Sequence, residues 1–334
     1  MHPQTSLRLP KTAMLEEKFF LGIDTSNYTT SMALCNEDGK VVLNLKKLLS
    51  VAEGERGLRQ SDALFAHTKN IPELSAMLSD FLKKRSGAEI VAVGYSATPR
   101  DAEGSYMPCF LAGVSAASAV SAALGCESYA FSHQSGHIMA ALYSAGVTEL
   151  LDGDRPFAAF HVSGGTTDML LVKPYSDGFS VEQIGGSNDI NAGQAIDRTG
   201  VLMGMKFPCG REMEELLRDR EIDKIKTRIS VKGLTCNLSG LENLASKVYA
   251  ESGDKAYTSA YCFDFVGDTL CKMTENLREQ YPDIPIVYAG GVMSNKRIGS
   301  RLAKYKETYF SEPEFSSDNA AGIALLCRKR YLKI

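Results

Sequence analysis

The chain has 334 residues, 44% of them apolar and 23% charged, with a formal net charge of −3. That length allows two domains with separate cores, and the composition is that of an ordinary soluble globular chain with no apolar run near the roughly 18 residues a membrane helix needs. The slight negative charge argues against gripping nucleic acid alone over a wide footprint, because neutralising phosphates takes clustered Lys and Arg.

In chain order, Met1 to Glu17 carries prolines and charge without the apolar core of a signal peptide, so it reads as a flexible N-terminal extension. Residues 19–34 then pass from an apolar strand through Asp24-Thr25-Ser26-Asn27 into a second apolar strand. An Asp38-Gly39 turn leads to a third strand, Val41-Val42-Leu43. Apolar Leu64, Phe65, Ile71, Leu74, Met77, Leu78, Phe81 and Leu82 recur at helical spacing and predict a helix over Ser61 to Lys84. Glu89 to Tyr95 reads as a buried strand, followed by a loop at Pro99-Arg100-Asp101. Leu111 to Leu124, a run of small residues, predicts a buried helix in close contact with its neighbours. A strand at Ser128 to Phe131 enters a helix starting near Ser132, and Asp152-Gly153-Asp154-Arg155-Pro156 is the clearest linker.

Directly after that linker the opening pattern returns. Residues 157–171 form strand, Ser163-Gly164-Gly165-Thr166 turn and strand, and Asp177-Gly178 leads into Phe179-Ser180-Val181. Mostly helical sequence fills 190–280, and a strand at Ile284 to Tyr288 runs through Gly290-Gly291 into a helix. The last helix is expected over Asp318 to Tyr331, with the acidic residue as N-cap. Small hydroxylated and glycine residues between two strands leave N–H groups to point at one spot, which suits a phosphate. Two such units suggest a duplicated α/β domain with a nucleotide in the cleft between the copies.

His133 and His137 are one helical turn apart, so their rings leave the helix on one face as a workable metal clamp needing a third ligand. Two partly buried structural histidines fit the spacing as well. No Glu stands beside them, which disfavours a zinc-peptidase helix. Asn295, after the glycine pair, is either a hydrogen-bonding partner for a flat ring or a structural turn residue. Asp197, among small residues, is either a ligand-facing or a surface carboxylate. The eight cysteines contain no Cys-x-x-Cys pair and point to reduced thiols in the cytoplasm. Lys224 to Arg228 and Arg328-Lys329-Arg330 are local basic patches that read first as a solvated face.

These stretches together resemble the tRNA threonylcarbamoyladenosine transferase family, the TsaD type formerly labelled O-sialoglycoprotein endopeptidase. Gly22-Ile23-Asp24-Thr25-Ser26 is similar to its Gly-Ile-Glu-Thr-Ser, His133 and His137 to its His-x-x-x-His, and Val162-Ser163-Gly164-Gly165-Thr166-Thr167 to its Val-Ser-Gly-Gly-His-Thr. Ala192 to Arg198 resembles its Ala-Gly-Glu-Ala-Phe-Asp-Lys, Pro208-Cys209-Gly210 its Pro-Gly-Gly, and Leu238 to Leu241 its Phe-Ser-Gly-Leu. Ala289 to Asn295 resembles Ala-Gly-Gly-Val-Ala-Ala-Asn, and Ser317 to Ala321 resembles Thr-Asp-Asn-Gly-Ala. The matches keep the family's order from residue 21 to about 326.

The resemblance implies an actin-like/Hsp70-like ATPase (ASKHA) fold of two duplicated domains with mixed sheets, at 18–151 and 152–317. A C-terminal helix at 318–334 would return to the first domain with a metal ligand. It implies one divalent metal, iron or zinc, held by His133, His137 and Asp318, and an adenylate or ATP-type nucleotide as substrate. Val162, Ser163, Gly164, Gly165 and Thr166 would line the phosphate and acyl group. Asp197 and Glu214 would face the ribose, Gly210 the purine and Asn295 the adenine, with Asp24 and Ser163 as the catalytic candidates. The implied reaction moves threonylcarbamoyl from threonylcarbamoyl-adenylate to the exocyclic amine of the tRNA adenosine beside the anticodon. Implied partners are tRNA, paralogous tRNA-modification subunits or a homodimer, and no membrane.

Five departures stand out. Asp24 replaces a family Glu; Asn27-Tyr28-Thr29 removes two carboxylates; Thr166 replaces a His and Asp168 a Gln. The family's Gly-Pro-Gly loop is also replaced, by residues 98–105. A divergent paralogue is therefore expected, with function concentrated on the side of the second hairpin. The alternatives are a carbamoyl-type transferase with a small-molecule acceptor, a non-catalytic nucleotide-binding subunit, and an ATP-dependent sugar or acetate kinase of the same superfold.

Overall fold

A computed structural model describes residues 17–26, 28–50, 58–316 and 320–334. The first half contains β1 (Glu17–Ser26), β2 (Thr29–Asn36), β3 (Val41–Leu48), α1 (Gln60–Lys83), β4 (Ala88–Thr98), α2 (Phe110–Leu124), β5 (Glu127–Ser132) and α3 (His133–Ala145). The second begins with β6 (Phe157–Val162), β7 (Thr167–Tyr175), β8 (Gly178–Ser187), α4 (Ala192–Leu202), α5 (Gly210–Glu215), β9 (Ser230–Lys232), β10 (Thr235–Asn237) and α6 (Gly240–Ser252). It continues with α7 (Lys255–Gln280), β11 (Ile286–Ala289), α8 (Lys296–Leu302), β12 (Thr308–Phe310), α9 (Pro313–Ser316) and α10 (Ala321–Leu332).

The duplication is visible strand by strand. The first sheet runs β3-β2-β1-β4-β5 and the core of the second runs β8-β7-β6-β11-β12. In each, an antiparallel three-strand meander carries two parallel strands beside its first strand. The second sheet is extended past β8 by the short pair β10 and β9, inside the stretch expected to be mostly helical. Three-residue strands carry too little alternation to stand out from their helical surroundings.

Both central strands are buried on two faces, which is why they read as unbroken apolar runs. Phe19, Leu21 and Ile23 pack with Leu74 and Leu78 of α1 and Ala117 of α2. Phe20 points the other way and joins Ile138 and Leu142 of α3 and Ala324 and Leu325 of α10. That same cluster takes Phe157, Ala159, Leu170 and Val172 from the second sheet, so α3 and α10 form a layer between the sheets. Ala158, Phe160 and Val162 face a separate core with α4, α6 and α7.

Helix α10 reaches the first sheet and α3 through glycines. A Cβ on Gly22 would lie 2.4 Å from Ala320 O, one on Gly94 2.8 Å from Cys327 Cβ, and one on Gly322 1.9 Å from Gly136 O. Only residues without a side chain permit that approach. The helix starts at Ala321 with Ala320 as its cap, rather than at Asp318, and Asp318 lies outside the described residues. Helix α2 is buried on one face only: Gly113 packs against Thr25, while Leu111 and Leu124 are exposed. The expectation of an overall buried helix fails because a run of alanines and serines has little contrast between faces.

Part of each basic patch is engaged within the fold. Lys224 pairs with Asp268 at 3.2 Å, and Thr227 donates to Asp268 at 2.6 Å. Arg330 pairs with Asp177 and Arg328 donates to Glu37 O, so α10 also ties the β2–β3 turn to the β7–β8 turn. All eight cysteines are free thiols and seven are buried; burial pushes Cys35 up to about 12. No helix among the described residues is long and apolar enough to cross a membrane.

Candidate active site

Strand parity brings the site together. On β1, Asp24 shares a face with Phe20 and Gly22 and therefore points into the layer holding α3 and α10. On β6, His161 shares a face with Phe157 and Ala159 and points into the same layer from the other side. His161 and Asp168 of β7 are directly paired across strands, which puts Asp168 on that face too. Both sheets thus direct polar side chains at the first turn of α3.

That turn is capped by Ser132, whose Oγ accepts from Ser135 N at 3.0 Å. It presents His133 and His137. The Nε2 atoms of the two rings lie 2.8 Å apart, and Asp24 Oδ1 accepts from His133 Nδ1 at 3.1 Å. Asp24 is fully buried, and Ser26 Oγ donates to its Oδ2 at 2.7 Å. A proton fixed on Nδ1 leaves a lone pair on His133 Nε2, so the carboxylate sets which nitrogen faces His137. The His161 ring sits against His137 with centroids 4.8 Å apart.

A polar line therefore runs Asp24–His133–His137–His161–Asp168 from one sheet to the other. His161 was not singled out in the sequence, although alternation along Phe157-Ala158-Ala159-Phe160-His161 marks it as a polar residue on a buried face. Two imidazole nitrogens at one point, one backed by a carboxylate, are donors suited to iron or zinc. Among the described residues no three ligating side chains form a metal-holding group, and the expected third ligand, Asp318, lies outside them.

The second hairpin begins two residues after His161. Ser163 N donates to Thr166 O at 2.7 Å, and Ser163 Oγ accepts from Gly165 N and Thr166 N at 3.2 and 3.1 Å. Those two N–H groups serve the turn itself rather than pointing outward as the sequence suggested. Gly164 N has no acceptor among the described residues, and a Cβ on Gly164 or Gly165 would meet nothing within 4 Å. Helix α4 starts against this turn: Gly193 N donates to Ser163 O at 3.0 Å and Ala192 N to Thr167 Oγ1 at 2.9 Å. A capping box between Asn191 and Gln194 fixes that helix end, whose partial positive charge favours an anion on the hairpin.

Asp197 lies one turn along α4 from Gly193. Its Oδ1 accepts from Cys209 N at 2.7 Å, and burial pushes its carboxyl up, partly offset by that N–H. Gly210, the next residue, opens α5. Glu214 Oε1 accepts from Lys296 N at 3.0 Å, and Asn295 Oδ1 caps α8 by accepting from Ile298 N at 3.1 Å. Glu214 and Asn295 both line a cavity of about 900 Å³ with Arg211, Arg218, Lys296 and Arg297, a size that suits a nucleotide-sized ligand. Asp197, Gly210 and the histidines are not part of its lining. One wall is pinned by Asp264, which is buried and accepts from both Arg297 and Arg301.

Two of the departures from the resembled pattern touch each other. Arg100, in the replaced loop, donates to Asp168 at 3.1 Å. The first hairpin, though stripped of two carboxylates, reaches the site through Asp24 and His133.

A sequence model of the family described as tRNA N6-adenosine threonylcarbamoyltransferase matches residues 57–325. A protein of that description from Streptococcus suis (strain 05ZYH33) is 28% identical over 331 residues, covering 96% of this chain and 94% of its own length. One from Streptococcus pneumoniae serotype 2 (strain D39 / NCTC 7466) is 28% identical over 299 residues, covering 86% and 84%. Among solved structures, HypF from T. kodakarensis superposes with a TM-score of 0.59 at 11% identity, over 96% of this chain and 48% of that one. Full-length HypF in its phosphate- and nucleotide-bound form gives 0.56 at 12% identity, over 95% and 46%. The chain spans about half the length of those HypF chains and shares the two-lobed ASKHA architecture with the matching part.

Proposed function

Since the chain belongs to the tRNA N6-adenosine threonylcarbamoyltransferase family, an enzyme family acting on tRNA, we propose that it takes the acyl group from threonylcarbamoyl-adenylate. The acceptor is the exocyclic amine of the tRNA adenosine beside the anticodon, and AMP leaves. The observation that carries this reading is the polar line from Asp24 to His161, which ends at the base of the Ser163–Thr166 hairpin.

The amine nitrogen attacks the carbamoyl carbonyl, the bond from that carbon to the phosphate oxygen breaks, and the proton displaced from the amine passes to water as AMP leaves. Catalysis then needs the acyl phosphate held rigidly and negative charge stabilised, without a covalent protein nucleophile. Val162, Ser163, Gly164, Gly165 and Thr166 hold the phosphate and acyl end, with Gly164 N as the donor not consumed by the turn. The N-terminus of α4 lies behind them. Asp197 and Glu214 take the ribose, Gly210 the purine face, and Asn295 the adenine end near the cavity it lines. Iron or zinc, held by His133, His137 and Asp318, would supply Lewis-acid polarisation of the acyl phosphate. Asp24 orients His133.

We read residues 18–151 and 152–317 as the two actin-like domains, with 318–334 returning to the first. The packing of α10 on β1, β2, β4 and α3 supports that division. The net charge of −3 fits tRNA binding with partner subunits, and reduced thiols fit a cytoplasmic protein.

Incubating the protein with threonylcarbamoyl-adenylate, tRNA and candidate partner subunits tests this reading. Modified adenosine and AMP in equal amounts are expected. AMP release without modified adenosine would count against tRNA as the acceptor, and carbamoylation of an added small-molecule amine would then identify the alternative that the altered 98–105 loop favours.

A further inference from the structure

Arg100 belongs to the loop between β4 and α2, on the first sheet, yet its guanidinium ends on the second. Nη2 donates to Asp168 Oδ2 at 3.1 Å and Nη1 to Gln183 Oε1 at 3.0 Å. Gln183 Nε2 closes the ring by donating to Asp168 Oδ1 at 3.0 Å. The planar guanidinium holds two acceptors in a fixed fork, a geometry that an ammonium group does not impose. Asp168 is largely shielded from solvent while Arg100 is half exposed, so the pair contributes little to stability by itself. What it supplies is geometry.

The residues on either side of Arg100 bind the helix that carries the histidines. Pro99 O accepts from Gln134 N at 3.0 Å. Asp101 Oδ2 accepts from Ser132 Oγ at 2.9 Å and Ser135 Oγ at 2.6 Å. Arg100 is itself braced: its N donates to Ser105 Oγ, and its O accepts from Thr98 Oγ1, both at 3.1 Å. Three consecutive residues thus grip the first turn of α3, the second sheet, and α3 again. Asp168 follows directly on Thr167, where the phosphate hairpin re-enters its strand.

We propose that Arg100 is an inter-lobe positioning residue: clasped by Asp168 and Gln183, it sets the opening of the cleft between the His133–His137 pair and the Ser163–Thr166 hairpin. The clasp is a property of the two lobes and does not depend on which acceptor the enzyme uses.

Spin-label distance measurements on the full chain test it directly. Nitroxides would be attached at Ala119→Cys on α2 and Glu251→Cys on α6, both exposed positions. A Cys126→Ser background removes the one native cysteine that is not buried. The clasped protein should give a single narrow distance distribution. Arg100→Ala and Asp168→Asn should each widen it by about twofold, as expected when a packed two-lobed closure loses its fixing contact. Combining them should widen it no further than either alone, because both remove the same interaction. A distribution unchanged in Arg100→Ala, or widths that add in the double variant, would overturn the proposal. Asp168→Asn keeps the side chain's shape, and circular dichroism of each variant separates loss of the clasp from loss of fold.

Discussion

Asp24 Oδ1 lies 3.1 Å from His133 Nδ1, so a carboxylate on the first sheet holds an imidazole on the helix between the two sheets. Partners of this kind tune metal-binding imidazoles by about 10- to 100-fold in affinity. Asp24→Asn should therefore lower iron or zinc affinity by that order, measured by competition with a calibrated chelator, with the fold retained. His137→Ala should abolish stoichiometric metal. Unchanged affinity in Asp24→Asn would show that Asp24 does not act through His133.

The approach of α4 to the hairpin gives a paired test with glycines. A Cβ on Gly193 would lie 2.6 Å from Gly164 Cα, whereas one on Gly210 would find only Ile196 Cγ2 at 3.7 Å. Gly193→Ala should cost about 1–3 kcal/mol, as overpacking does, and displace the hairpin. AMP binding by calorimetry should fall with it. Gly210→Ala should leave the melting temperature almost unchanged and weaken only purine binding. Equal stability of the two variants would contradict the close packing.

His67 offers a pH signature away from the histidine pair. It is fully buried, its Nδ1 meets Thr30 Oγ1 at 2.8 Å, and its Nε2 has no partner among the described residues. Burial holds its pKa at about 4, with Asp24 pulling it upward. A depressed folded-state value means that the unfolded chain binds the proton first. The associated stability is complete above about pH 6.5, the unfolded value, and is lost as pH falls towards 4. The slope for one proton is at most ~1.4 kcal/mol per pH unit. Urea midpoints across that window should fall less steeply in His67→Gln than in the natural chain; parallel curves would rule this origin out.

Asp264 carries the wall of the large cavity. It accepts from Arg297 at 2.9 and 2.7 Å, from Arg301 at 2.8 Å, and from Ile225 N at 2.8 Å. Removing one partner of a buried pair strands the charges left behind, at about 3–5 kcal/mol. Asp264→Ala should lose stability of that order in denaturant titrations. It should also free residues 222–227, which Arg297 and Ile225 tie down, and so weaken adenine-nucleotide binding. A variant with unaltered stability would mean that the guanidiniums find solvent instead.

Much of this arrangement was legible in the sequence. The two meanders stood out because unbroken apolar strands flank turns of small residues, and the order of strands and helices followed. Helical spacing put His133 and His137 on one face, but spacing alone left a metal clamp and two structural histidines both open. His161 carried a readable signal in its strand parity, but a lone histidine gains meaning only when the helix it faces is known. Asp24 meets His133 across 109 residues of chain, a contact that no local pattern encodes. The β9–β10 pair escaped because its strands are three residues long. Arg100 read as an ordinary loop residue, since its partners are supplied by the other half of the molecule.

The glycine-lined seat of α10 has a consequence for how the protein is made. The first sheet ends at Ser132, but the helix that covers its inner face starts at Ala321. At about 5–20 residues per second, the ribosome adds the roughly 190 intervening residues over some 10–40 seconds, during which Gly22 and Gly94 face a groove awaiting its occupant. The first lobe is begun early and finished late, so the nascent chain spends that interval with an apolar groove for chaperones to shield.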